Sequence, residues 1–297
     1  MATIQHILAG LDEQRLADRA VVAALHLARI LHVPMQVVHA IQARAERPWF
    51  AGDEALAKAR ADLEHAARAD RLEHLMGLLQ PLAATPQEIE AMLVVEPGRS
   101  AHVLATRAAE VDGGLLVLGG HRHRGVLDFG GTARELMSHP PCALWVQSSR
   151  EWHSPKRVLV SVDLSPGSGV VLAAARQLAA GVGAELTLFH CFEPPAFSYQ
   201  VESRLGHVIE RLRSRERAEF DEFLASVQDG VPALQVDFAE GDATSMILER
   251  LADHDVLVLG THAHGALGRA LLGSHAYRIL KEATVPVMVV PQPNVSY

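Results

Sequence analysis

Unbroken apolar runs of four to six residues recur along this chain, separated by longer stretches in which apolar residues return every three or four positions. The first such run, Ile7–Leu11, closes on Asp12 and leads into an Ala-rich stretch of helical period, Arg19 to Leu31. "MQVVHA" (Met35–Ala40) follows, then a charged amphipathic stretch, Asp53 to Leu79, then "MLVVEPGRS" (Met92–Ser100) and a short helical segment. "LLVLGG" (Leu115–Gly120) and "PPCALWVQ" (Pro140–Gln147) complete a first set. A second set repeats the order: Val158–Val162 closing on Asp163, a helix over Gly169–Ala180, "LTLFHC" (Leu186–Cys191) and a helix over Tyr199–Gln228. "VDFAEGDAT" (Val236–Thr244), "VLVLGT" (Val256–Thr261) and "VPVMVVPQ" (Val285–Gln292) end it. Asp12 to His39 and Asp163 to His190 have the same spacing, so the chain contains one unit twice.

Continuous apolar strands signal sheets covered on both faces, and strands alternating with helices signal parallel pairing through right-handed crossovers. The expected fold is α/β: two tandem Rossmann-like doubly wound domains, residues 1–150 and 154–297, each a five-stranded parallel sheet flanked by helices. The polar stretch Ser148–Arg157 connects them. In such sheets ligands bind beyond the carboxyl ends of the strands, where the repeated Asp, His and Gly positions fall.

At 297 residues and 49 % hydrophobic the chain can bury two cores. A net charge of -8, with no basic excess in either half, excludes nucleic acid as a partner. The start "MATIQHILAGLDEQ" does not read as a signal peptide, and no apolar run reaches the roughly 18 residues of a membrane span. Two cysteines in separate halves, Cys142 and Cys191, fit buried thiols in a reducing cytoplasm better than a disulfide. A cytoplasmic protein without a membrane span is expected.

The stretch "LVLGTHAHGALGRALLGSHA" (Leu257–Ala276) carries the candidate chemistry. Gly260 ends a strand, and Gly273-Ser274 opens a helix running to Lys281, whose first N–H groups and positive dipole end suit a phosphate. An ordinary helix cap on a short crossover remains an equal reading of the same residues. No "GxxxxGK[ST]" is present among only three lysines, and "DLSPGSG" stands where a dinucleotide fold would carry "GxGxxG". His121 and His123, like His262 and His264, form His-X-His pairs, but no CxxC or HExxH completes a metal site, so no metal is assigned.

With these residues in place, the second half resembles a universal stress protein domain, and the whole chain resembles a tandem universal stress protein. ATP-binding members carry Gly, two residues, Gly, nine residues, then Gly-Ser or Gly-Thr after the fourth strand. Here those positions hold Gly260, Thr261-His262, Ala263, nine residues, and Gly273-Ser274. Ala263 departs from the pattern, because the family has glycine there. The resemblance implies an adenine nucleotide, ATP with or without Mg, as the ligand. Asp163 would accept from the adenine or ribose beside Ser161 and Val162, and Cys191 would line the base pocket. Leu259, Gly260 and Ala263 would pass beneath ribose and phosphates, with Gly273, Ser274 and the His275 amide receiving the phosphates. The competing reading of Asp163 is a helix-capping residue before "SPGS". In the first half Arg122 replaces the second glycine, and eight residues separate it from Gly131-Thr132, so that copy reads as degenerate.

The expected function is a stress-response protein that binds ATP or a related adenine nucleotide in its second domain and works as a regulatory module. No base or metal constellation for turnover is visible, so it is read as no enzyme, with at most slow ATP hydrolysis. The alternative is a nucleotide-free tandem protein acting as an interaction scaffold; a small-molecule transferase is disfavoured for want of a catalytic triad or an activated lysine. By the same resemblance the halves are expected to form an internal pseudo-dimer through the apolar strands Cys142–Gln147 and Val287–Val290, with a homodimer as a further option.

Overall fold

A computed structural model of the chain describes residues 4–41, 53–123, 126–128, 130–148, 150–195, 198–227, 234–261 and 273–292. The polypeptide divides into two compact units, Ile4–His121 with Asp128–Trp152, and His153–Tyr297 with Arg122–Leu127.

The first unit runs β1 (His6–Leu11), α1 (Asp18–Leu31), β2 (Met35–Ile41), α2 (Asp53–Leu79), a single 3-10 turn, α3 (Pro86–Met92), β3 (Leu93–Pro97), α4 (Ser100–Ala109) and β4 (Gly114–Gly119). After β4 come two short strands that pair with each other, β5 (His121–His123) and β6 (Val126–Asp128), most of which groups with the second unit; α5 (Gly131–Ser138) and β7 (Ala143–Gln147) complete the first. Its main strands lie in the order β7-β4-β1-β2-β3, all parallel.

The second unit repeats this with β8 (Arg157–Ser161), α6 (Ser168–Val182), β9 (Glu185–Phe192), α7 (Ser198–Val227), β10 (Gln235–Glu240), α8 (Ala243–Arg250), β11 (Val256–Gly260), α9 (Ser274–Glu282) and β12 (Val287–Val290). Its order, β10-β9-β8-β11-β12, is again all parallel. The order reverses at β1 and at β8, so each unit is a doubly wound sheet with its crevice beside that strand's carboxyl end.

Burial explains the apolar runs. Leu115, Leu116 and Val117 of β4, Val158, Leu159 and Val160 of β8, and Leu257 and Val258 of β11 are all fully buried. A strand covered on both faces has no polar side to show, which is why alternation is absent from the sequence. Helix α1 packs on this sheet through seven buried residues, all Ala, Val or Leu.

One helix had no warning in the apolar pattern. The segment before β3 forms α3, whose start is a reciprocal capping box: Glu88 N–H donates to Thr85 Oγ1 at 3.2 Å, and Thr85 N–H donates to Glu88 Oε2 at 2.7 Å. "TPQE" therefore signals a helix by its polar residues, with Pro86 at the first helical position. Helices α2 and α7 are long, 27 and 30 residues, or about 40 and 45 Å at 1.5 Å per residue. The exposed face of α7 carries paired charges, Arg213–Glu210, Arg215–Glu219 and Arg217–Asp221, which makes the solvated face expected of "ERLRSRER".

The tryptophans divide by place. Trp145 is fully buried and donates Nε1–H to Gln147 Oε1 at 2.9 Å, while Trp152 stacks on His26. Trp49 lies outside the described residues.

The two copies end their first helix differently. Gly183 closes α6 in the left-handed conformation (φ 68°), whereas exposed His32 closes α1 with φ 54°. A side chain there costs energy that glycine does not. Replacing His32 with glycine should therefore raise the unfolding free energy by about 1 kcal/mol, read as a higher urea midpoint with an unchanged slope.

Candidate functional site

The carboxyl ends of β8, β9 and β11 bring the second half's predicted residues together in part. Ser161 ends β8, and Val162, buried, spends both backbone groups inside the protein. Its N–H donates to the Phe189 carbonyl at 3.0 Å, and its carbonyl bonds His190 Nδ1 at 2.8 Å. Asp163 is exposed on the loop that follows. Its Oδ1 accepts from Ser165 N–H at 3.1 Å and from the Ser168 hydroxyl at 3.0 Å. The carboxylate thus orders the entry to α6, whose N-cap position is Gly167.

Glycine is demanded at two places here, and by one side chain. A Cβ on Gly260 would stand 2.5 Å from Gln292 Nε2 and 2.9 Å from Val171 Cγ2. A Cβ on Gly167 would meet Gln292 Cγ at 2.6 Å and its Cβ at 2.7 Å. Gln292 is only 6 % exposed. Its Oε1 accepts from the Ser165 hydroxyl at 3.2 Å, and its backbone N–H donates to Thr261 Oγ1, also at 3.2 Å. Gly260 is therefore required by packing within the unit, whatever ligand it also meets.

Leu259, buried, precedes Gly260 in β11. Ala263, His262 and His264 lie outside the described residues, so the departure at Ala263 rests on sequence alone. Gly273 is the extended residue before α9 (φ -64°, ψ 159°) and offers no side-chain cap; Ser274 is the first helical residue and His275 the second. The His275 ring lies 3.0 Å from the hydroxyl of Thr244, which is fully buried near the start of α8. Beside them Asp242 caps α8, and two hydrogen bonds from Ser245 hold its carboxyl below the usual carboxylate range.

Cys191 is half-buried at the end of β9, with Sγ 3.5 Å from the Gly241 carbonyl. Burial, reinforced by the Glu193 charge, pushes its thiol up to about 11; burial alone pushes Cys142 to about 12. Both are therefore protonated at neutral pH and poor nucleophiles.

The histidines that close the second strands have a structural use. His39 Nδ1 bonds the Leu11 carbonyl at 2.9 Å, and His190 Nδ1 bonds that of Val162 at 2.8 Å. Their shared spacing from Asp12 and Asp163 reflects this shared bond. His190 also reaches Glu216 of α7, Nε2 to Oε1 3.0 Å, and packs against Phe220 and Phe238. Among the described residues no group of three or more His, Cys, Asp or Glu could hold a metal.

The first unit's crevice is built differently. Asp12 again accepts loop amides, from Leu16 and Ala17, both at 3.3 Å. Here, however, the loop rests on the glycine itself: a Cβ on Gly119 would lie 3.1 Å from Ala17 Cα and 3.2 Å from the Leu16 carbonyl. Helix α5 starts after Gly130, as α9 starts after Gly273. Gly131 therefore sits where the second copy has Ser274, and Thr132 one place further on. The loop from Gly119 is two residues shorter than its counterpart, and Arg124 lies outside the described residues.

Sequence reading missed Ser165, Gly167, Ser168, Thr244 and Gln292. The Ser and Gly of "DLSPGSG" were a turn signal, but nothing in sequence spacing ties Gln292 to that turn 125 residues earlier.

Two doubly wound units in one chain, each with an Asp turn and a glycine at the switch in strand order, define a tandem α/β protein. The chain belongs to the universal stress protein family, whose sequence profile matches it twice, over residues 3–147 and 155–291. A universal stress protein of Mycolicibacterium smegmatis is 27% identical over 303 residues, covering 97% of this chain and 98% of the relative. Universal stress protein A homolog 1 of Coxiella burnetii is 33% identical over 141 residues, 46% of this chain and 95% of the relative. Among solved structures, a universal stress protein from Archaeoglobus fulgidus superposes with a TM-score of 0.59 at 17% identity, covering 96% of this chain and 98% of that one. A Pseudomonas aeruginosa protein of unknown function gives 0.61 at 19%, covering 98% and 94%; both show the fold. Among the described residues no helix is long and apolar enough to cross a membrane.

Two expectations follow from these contacts. Neither cysteine should react with a thiol reagent in the native protein at pH 7 to 8, and both should react fully in denaturant. Because both folded values lie above the ordinary thiol value of 9.0, their contribution to stability is complete below about pH 9. It is lost as pH rises through about 11 for Cys191 and about 12 for Cys142. Separately, Gly167→Ala should destabilise the protein by about 1–3 kcal/mol through overpacking against Gln292. The same change in a Gln292→Gly background should cost little, a coupling measured by a double-mutant cycle in urea.

Proposed function

We propose that this stress-family protein binds ATP or a related adenine nucleotide in its second unit, with or without Mg, and works as a regulatory module that does not turn over substrate. The observation that carries the reading is the start of α9. Gly273 brings the chain in extended without a side chain of its own to cap the helix. The first-turn N–H groups of a helix need acceptors, and a phosphate supplies them while meeting the positive end of the helix dipole. His275, exposed and tethered to Thr244, flanks that end. Asp163 and the half-buried Cys191 stand at the neighbouring strand ends, where a base and ribose would lie. The first unit lacks the hydroxyl residue at the first helical position and has the shorter loop, which argues for one nucleotide per chain.

Calorimetric titration with ATP should give about one site per chain. Asp163→Ala should weaken it about tenfold, the loss of about 1.4 kcal/mol, and Gly273→Arg combined with it should abolish binding. Nucleotide released from the denatured purified protein, identified by mass spectrometry, would name the physiological ligand. Two equal sites, or a site that survives the double variant, would overturn the reading. A protein that neither retains nor binds any adenine nucleotide would instead be the nucleotide-free interaction scaffold.

A further inference from the structure

Gln292 lies just past β12, yet it touches both loops that flank the crevice. Its side chain fills the space between Gly167 and Gly260 and accepts from Ser165 on the β8–α6 loop, while its backbone N–H holds Thr261, the first residue after β11. Thr261 is itself fully buried, with its N–H on the Val290 carbonyl at 3.0 Å. One residue therefore ties the loop bearing Asp163 to the start of the segment leading to Gly273.

The first unit is packed differently at this place; the strand register puts Ser149, which lies outside the described residues, at the position of Gln292. There the loop backbone at Leu16 and Ala17 lies directly on Gly119, with no side chain in between. In the second unit the corresponding loop is held off Gly260 by the thickness of the Gln292 side chain. The turn that Gln292 supports is the one that orients Asp163, since Ser165 gives its hydroxyl to Gln292 and its N–H to Asp163.

We propose that Gln292 is a positioning residue for the ligand crevice of the second unit: a buried wedge that spaces the Asp163 loop from β11 and anchors both crevice walls. The proposal rests on the adenine-nucleotide reading for its ligand, but its geometry belongs to the unit alone. Holding ligand groups at a fixed separation matters because small misplacements are costly in affinity. A side chain that is merely structural would change stability and leave affinity, measured on folded protein, where it was.

The test uses the full chain, with ATP affinity measured well below each variant's thermal midpoint and hydrogen exchange followed at the Ser165 amide. Gln292→Ala is expected to weaken ATP at least tenfold and to speed Ser165 exchange about tenfold. Gln292→Met, which refills the wedge without the bond to Ser165, should recover affinity to within about threefold of the natural protein. Gln292→Asn, a milder shortening, should move both readouts in the same direction as alanine and serves if the alanine variant does not fold. Affinity for the shortened variants within twofold of the natural protein would overturn the proposal and leave the nucleotide reading intact. Should the natural protein bind no adenine nucleotide, that reading falls, and Ser165 exchange decides alone: acceleration in the shortened variants supports the wedge, and unchanged exchange overturns it.

Discussion

Everything in this molecule follows from the need to cover both faces of a parallel sheet. Leu115–Val117 and Val158–Val160 tolerate no water on either side, so successive parallel strands of a unit are joined by helices that cross over and cover them. Within each unit the main strands then point one way, and their strand-to-helix loops emerge at the same end of that unit's sheet. The carboxyl ends are where the chain is free of the core's demands and where polar residues can gather. Asp163, Cys191 and Gly260 share an edge because hydrophobic burial leaves that edge as the place for them.

At that edge the two copies of the unit solve one packing problem in two ways. Each must bring the loop after its first strand against the glycine that ends its fourth. The first unit does so with backbone on backbone, at Leu16, Ala17 and Gly119. The second inserts the Gln292 side chain and leaves glycine on both sides of it, at Gly167 and Gly260. The difference between the copies is thus more than a lost motif in the loop before α5. The neighbouring loop is also seated differently, and the helix caps place Gly131 where the second copy has a serine.

Much of the fold was legible because burial on both faces leaves a simple mark, an unbroken apolar run, and because the repeat let each half check the other. The boundaries of α1, α2, α6 and α7 lie within about two residues of those read from periodicity. Helix α3 escaped because its signal is polar, in Thr85 and Glu88, and not periodic. At the candidate site, Asp163 and Gly260 were legible from position, but their neighbours were not. Ser165 and Ser168 act through a turn whose geometry the sequence does not display, and Gln292 arrives from the far end of the unit. The repeated histidines looked like chemistry and are bonds to the carbonyls of Leu11 and Val162. A residue that works by filling space leaves no motif, because its meaning depends on which two glycines it separates.

The great length of α7 has a consequence of its own. A strand of eight residues such as β9 spans about 26 Å, so a 30-residue helix lying against the sheet must extend well past it. Between Glu210 and Asp221 its outer face is held by exposed ion pairs, which salt screens. The helix is therefore graded around its circumference: the side bearing Phe220 and the His190–Glu216 contact shares the fate of the sheet, while its exposed ion pairs weaken as ionic strength rises.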